Sequence, residues 1–153
     1  MLRIYALPLY KVILIVIFSG VLWTLFLKIF PRNILSISAV LILLLSIWGI
    51  LRYCVVSRTA SNQHVFTFFA NFGNEFFREM VMNAFLYYPF GLALSMLIGP
   101  WSILAAFALS LGIETWQYFA GTGLAQGTDV ICNTLGCAIG EIPFLTRKRI
   151  NRK

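Results

Sequence analysis

The sequence is poor in charge. Asp, Glu, Lys and Arg together make up 11% of its 153 residues, against 60% hydrophobic ones; a water-soluble domain carries about a quarter charged residues, so that class is excluded. No basic residue lies between Arg78 and Arg147. The three cysteines, Cys54, Cys132 and Cys137, form neither a CxxC pair nor an even set, which leaves no disulfide framework and no cysteine zinc site. Cys132 and Cys137 are five apart, on different faces of a helix, and read as packing residues. His64 is the only histidine and has no cysteine beside it, so no metal site is expected there. No cofactor is implied.

What the chain does have is apolar length. A mean hydropathy of +0.87 marks a membrane protein, and 17.3 kDa leaves room for a few spans and short loops rather than a separate soluble module. The 12 Lys and Arg outnumber the 5 Asp and Glu. They sit between apolar runs and in the tail TRKRINRK rather than along one face, so nucleic acid is not an expected partner. That tail reads as a cytoplasmic anchor meeting anionic lipid headgroups.

A requirement of about 20 apolar residues per span gives an all-α, polytopic bundle with about five helices. They run over about Val12 to Phe30, Ile34 to Tyr53, Met80 to Ile98, Trp101 to Ala120 and Asp129 to Leu145. The first lacks a small-x-small cleavage site and is followed at once by another apolar run, so it is expected to be retained. Pro31-Arg32-Asn33 and Gly99-Pro100 break the runs, and GTGLAQGT marks a loop. The segment HVFTFFANFGNEFF between helices two and three is too interrupted to span; an interfacial placement is expected, with Phe66, Phe68, Phe69 and Phe72 in the headgroup boundary. The chain divides into an N-terminal helical pair (1–60), a transmembrane core (61–145) and a basic tail (146–153). The tail puts the C-terminus in the cytoplasm; counting back, GTGLAQGT and the aromatic segment fall outside. The N-terminus then falls outside too, although Arg3 and Lys11 also permit a layout with one fewer span and that end inside.

Helical spacing exposes three polar stripes. Asn83, Tyr87, Gly91 and Ser95 recur at steps of four in helix three. Ser110, Glu114, Gln117 and Gly121 share a face of helix four, and Asp129, Asn133, Gly136 and Gly140 share a face of helix five. Lipid offers no hydrogen-bond partner, so these stripes are expected to face each other. Glu114 would lie about 9 Å below the end of helix four, and Asn83, Glu114, Gln117, Asp129 and Asn133 would meet in the outward half of the membrane. A charge there costs about 2.5–3.5 kcal/mol on insertion scales, so Glu114 must be paired, protonated or wet. Arg78 is the nearest candidate cation in the sequence. Plainer roles stand beside these: Glu114 as interhelical glue, Asp129 as an N-cap, Asn133 as a hydrogen-bonding tie, and Gly136 and Gly140 as close packing. Pro89 should kink helix three. Trp101 and Tyr118 read as interfacial anchors.

These residues form a recognisable set. NAFLYYPFG (83–91), SLGIETWQYF (110–119) and DVICNTLGCAIG (129–140) resemble the N-x5-P-x-G, S-x3-E-x2-Q and D-V-I-x-N-T-x-G-x3-G elements of the VanZ-like membrane proteins, in order and spacing, with FREM (77–80) just before. The likeness covers about residues 65 to 142. It implies a cell-envelope context, since that family takes its name from a protein giving resistance to the lipid-tailed glycopeptide teicoplanin; it supplies no reaction. Many members carry an arginine and an aspartate where this sequence has Gly123 and Gln126, so this chain must neutralise Glu114 with another cation or keep it protonated.

Three functions remain compatible with the sequence. In the first, the polar cluster binds a lipid headgroup, a lipid-linked envelope precursor or a lipoglycopeptide. In the second, Glu114 and Asp129 are the catalytic acid and base of an intramembrane enzyme acting on a lipid-linked substrate; no Ser-His, Cys-His or metal set accompanies them. The third is a small proton-coupled carrier, for which polar residues in the inward half are sparse beyond Ser95 and Ser110. The inner membrane of a bacterium is the expected location.

Overall fold

A computed structural model describes residues 8–58, 64–69 and 74–150 of the chain. Helix α1 (Leu9–Ile29) turns through Pro31 into α2 (Arg32–Leu51), which ends in a π-helical turn (Arg52–Val56). A two-residue strand β1 (Phe66–Thr67) precedes α3 (Asn74–Ile98); Gly99 and Pro100 lead into α4 (Trp101–Ala120); strand β2 (Ala125–Gln126) leads into α5 (Gly127–Ile150). Among the described residues four helical stretches, Leu9–Ile29, Arg32–Val56, Phe76–Ile98 and Trp101–Ala120, are long and apolar enough to cross a membrane. The chain is a multi-pass membrane protein of helical type.

Composition alone does not put α5 with those four, and its packing supplies the reason. It lies against α3, α4 and α1, so much of its circumference meets protein rather than lipid and can carry small and polar residues. Its contact with α3 is made by glycines. A β-carbon at Gly136 would collide with the Ala84 carbonyl, one at Gly140 with the Tyr88 carbonyl, and one at Gly91 with the Cys137 backbone. This is the close helix approach read from the Gly136–Gly140 spacing. On its other side α5 exposes Ile131, Leu135, Ile139, Ile142 and Leu145.

The helix boundaries differ from the expected ones at the ends. α3 starts at Asn74 rather than Met80, and α5 runs from Gly127 to Ile150 rather than from Asp129 to Leu145. A hydropathy criterion counts the apolar middle, whereas backbone hydrogen bonding continues through flanking charged residues. Asp129 consequently sits inside the first turn of α5 and is not its N-cap. The N–H of Thr128 is taken by the carbonyl of Phe68 at 3.1 Å, so the aromatic segment supplies an acceptor for one of the free donors of this helix end. That segment is tied down further: β1 pairs in parallel with β2, Phe66 opposite Ala125 and Thr67 opposite Gln126. Phe66, Phe68 and Phe69 are exposed; Phe72 is outside the described residues.

α1 and α2 meet near their connecting turn, where Trp23, Leu27 and Leu35 pack with Tyr88 and Leu92. Beyond it a cleft of about 780 Å³ opens between α1, α2 and α3, from Trp23 and Phe26 to Tyr53 and Asn83.

Candidate functional site

Glu114 occupies the last turns of α4 on the side that meets α5, and only 5% of it is exposed. Its Oε2 accepts the backbone N–H of Gln126 at 2.8 Å. The β1–β2 pairing holds that strand residue in place, so a carboxylate on α4 is bonded through the loop that starts α5. Asp129 follows in the first turn of α5, close enough to Glu114 for the two carboxyls to interact electrostatically. It faces the Asn83 side chain from α3. The positive end of the α5 dipole lies at the same place, favouring negative charge there.

One turn into the bundle, Asn133 donates through Nδ2 to the Ser110 hydroxyl at 2.8 Å. Tyr87, fully buried, brings its hydroxyl to the same level beside Ser110 and Glu114. The structure therefore brings together Asn83, Tyr87, Ser110, Glu114, Asp129 and Asn133 from three helices. Gln117 points elsewhere: its Nε2 donates to the Cys54 carbonyl at 2.9 Å, tying α4 to the π-helical end of α2. A π turn displaces carbonyls from the ordinary i to i+4 ladder, which makes this acceptor available.

The cation is not Arg78. Among the described residues Arg58, just beyond the π-helical turn, is the basic residue that acts on both Glu114 and Asp129. It also touches the chain at an informative point, for its Nη1 stands 2.7 Å from where a β-carbon on Gly123 would be. Gly123 has φ +152°, a conformation that L side chains rarely adopt. The absence of a side chain at 123 thus makes room for an arginine arriving from another part of the sequence. Nothing in the sequence links these two positions, although the missing basic residue at 123 was a signal that some other cation must come.

A second residue missed in the sequence is Glu141, 1% exposed, whose Oε2 accepts the Ser102 hydroxyl at 3.3 Å. It continues the α5 stripe at a step of four beyond Asn133 and Cys137, a spacing that would have found it. His64 carries a plain structural bond, its Nδ1 lying 2.7 Å from the Tyr118 carbonyl. Among the described residues no group of His, Cys, Asp and Glu is arranged to hold a metal, and all three cysteines are free and buried.

Two apolar clefts flank the cluster. Asn83 lines the one between α1, α2 and α3. Glu114 lines the other, of about 510 Å³, whose walls are otherwise Phe66, Phe68, Phe107, Leu111, Val130 and their neighbours from β1, α4 and α5. Phe68 rests on Gly127, its Cδ2 2.8 Å from where a β-carbon would stand.

The three polar elements recognised in the sequence thus form one constellation, and comparison with known proteins agrees with them. The family model VanZ/LLP1 matches residues 33–147. The chain belongs to the VanZ/LLP1 family. It is similar to Protein VanZ of Enterococcus faecium, 34% identical over 133 residues that cover 82% of this chain and 81% of that one. No solved structure matches. Within a VanZ/LLP1 chain the family match spans α2 through most of α5, and α1 lies ahead of it.

Proposed function

We infer that this VanZ/LLP1 protein binds an amphiphile of the cell envelope, a lipid-linked precursor or a lipid-tailed glycopeptide, at the Glu114–Asp129–Arg58 cluster. One observation carries the reading: a carboxylate forms part of the wall of a cleft that is mostly apolar, with Thr115 and Tyr118 as its other polar side chains. Such a cleft suits a ligand with a long hydrocarbon body and a single hydrogen-bonding head. A water-soluble ligand would leave the aromatic and aliphatic wall unused, and a plain hydrocarbon would leave Glu114 without a partner for its outward face. The glycopeptide-resistance context of the family supports the same class of ligand.

In this reading α5 is a fifth span. Its 24 residues rise about 36 Å, enough for a hydrocarbon layer of about 30 Å. The exposed row Ile131, Leu135, Ile139, Ile142 and Leu145 would meet acyl chains. The aromatic segment then lies at the interface, and the basic tail lies in the cytoplasm with the cluster on the opposite, external side.

Binding is tested with the purified full chain in nanodiscs, titrated with a fluorescent polyprenyl-linked precursor and, separately, with teicoplanin. The expected result is saturable binding of at least one of them. Gly127→Leu, which fills the cleft under Phe68, and Glu114→Gln should each weaken it about tenfold, the loss of about 1.4 kcal/mol. Binding of neither probe, or equal binding by both variants, overturns the reading.

A further inference from the structure

The bundle holds buried polar groups well beyond the site just described. On α5, below the half-buried Asp129, they recur at every fourth residue as Asn133, Cys137 and Glu141, and the antiparallel α4 answers with Glu114, Ser110 and Ser102. From Asp129 to Glu141 the helix rises about 18 Å, more than half of a hydrocarbon layer of about 30 Å. The rungs between the two helices are bonded: Asn133 to Ser110 at 2.8 Å, Cys137 Sγ to the Ser102 carbonyl at 3.4 Å, and Ser102 Oγ to Glu141 at 3.3 Å.

Tyr87 bridges the interval between the first rung and the second. Its hydroxyl is within electrostatic reach of Glu114 on one side and of Cys137 on the other, and Cys137 is within reach of Glu141. The buried groups are not all satisfied. Among the described residues, Tyr87 Oη and Asn133 Oδ1 are buried without a hydrogen-bond partner, on residues exposed by no more than 5%. Buried polar atoms in a membrane protein require partners, and unpaired atoms along one file are a place for ordered water.

We propose that this protein conducts protons along the file that joins Glu114 and Asp129 at one end of the bundle to Glu141 near the other, with water completing the hydrogen-bonded path. A proton binds the Glu114 carboxylate at the site end and passes through the Ser110 and Tyr87 hydroxyls and intervening water. It then reaches Ser102 and Glu141, from which it leaves. Each carboxyl ends in the protonation state in which it began, and nothing is oxidised or reduced. Other groups face the ends of the file: Asp129 and Arg58 face Glu114; Arg58, Glu79 and Asn83 face Asp129; Cys137 and Ser102 face Glu141. Carboxylates inside membrane helices commonly mark such relays. Ala106, fully buried between Ser110 and Ser102 on α4, leaves the middle of the path to Tyr87 and Cys137.

The test uses the full chain in liposomes that enclose a pH-sensitive dye, with a potassium gradient and valinomycin to set an inside-negative potential. Dye acidification should run about tenfold faster than in protein-free liposomes, and Glu141→Gln and Tyr87→Phe should each return it close to that baseline. Glu141→Asp should recover part of the flux, and Thr146→Ala, exposed on the same helix, should conduct as the unaltered chain does. Tyr87→Phe keeps the ring and removes only the hydroxyl, so it decides the matter even where a change at Glu141 prevents folding. Flux no greater than in protein-free liposomes, or wild-type flux through Tyr87→Phe, overturns the proposal. Neither result depends on whether the Glu114 cleft binds a lipid.

Discussion

The Arg58 guanidinium stands where a side chain at position 123 would need to be, its Nη1 2.7 Å from the place of a β-carbon on Gly123. An alanine at 123 would meet both this cation and an unfavourable backbone conformation at φ +152°. Gly123→Ala is therefore expected to lower stability by about 1–3 kcal/mol. The penalty should shrink when Arg58 is already Ala. A double-mutant cycle in thermal melts of the detergent-solubilised protein should give a coupling of about 0.5–2 kcal/mol, and strictly additive effects would show that the two residues do not share that space.

Glu114 is expected to tolerate glutamine better than leucine. The Gln side-chain oxygen can still accept the Gln126 N–H held at 2.8 Å, whereas Leu leaves that donor unpaired, a cost of about 1–3 kcal/mol. Melting temperatures of the two variants give the order directly. A leucine variant as stable as the glutamine one would mean that the bond to the loop contributes nothing.

Asn133 and Ser110 should behave as one unit. Asn133→Ala and Ser110→Ala each remove one end of the same 2.8 Å bond, so the double variant is expected to lose less than the sum of the two. In membrane helices such couplings are about 0.6 kcal/mol and reach about 1.7. Chemical unfolding in mixed micelles measures the difference.

Two pairs of helical glycines have opposite expected outcomes. Gly136→Ala and Gly140→Ala drive a methyl into the carbonyls of Ala84 and Tyr88 and should force α5 off α3, reducing the yield of monodisperse protein in size-exclusion chromatography. Gly49 and Gly112 meet nothing within 4 Å. Alanine at either position should leave the protein intact or stabilise it by about 0.5–1 kcal/mol through helix propensity.

The helices and the inward faces of α3, α4 and α5 were legible because lipid leaves polar side chains few places to go. A glutamate, a serine and an asparagine at helical spacing must find one another, and Glu114, Ser110 and Asn133 are brought together by doing so. What was not legible depends on segments distant in sequence. β1 and β2 have two residues each and are strands only because each meets the other. Arg58 reaches the carboxylates through the course of the chain after α2, and no periodicity encodes that course. Gln117 looked like a site residue because it shares a face with Glu114, yet one turn along it meets the Cys54 carbonyl instead. Glu141 belongs to a row at 133, 137 and 141 that runs beside the glycines at 136 and 140 and is masked by their stronger packing signal.

The parallel pairing of Phe66 with Ala125 and of Thr67 with Gln126 also makes the site depend on segments synthesised at different times. Both α3 and α4 intervene between the two strands, so Glu114 is synthesised before its backbone donor, Gln126. Until α5 follows, that carboxyl has neither the loop N–H nor the company of Asp129. A released chain truncated at residue 120 would carry this acid into the membrane with neither partner, so the carboxyl of α4 is satisfied only when the whole of the loop and the start of α5 are present.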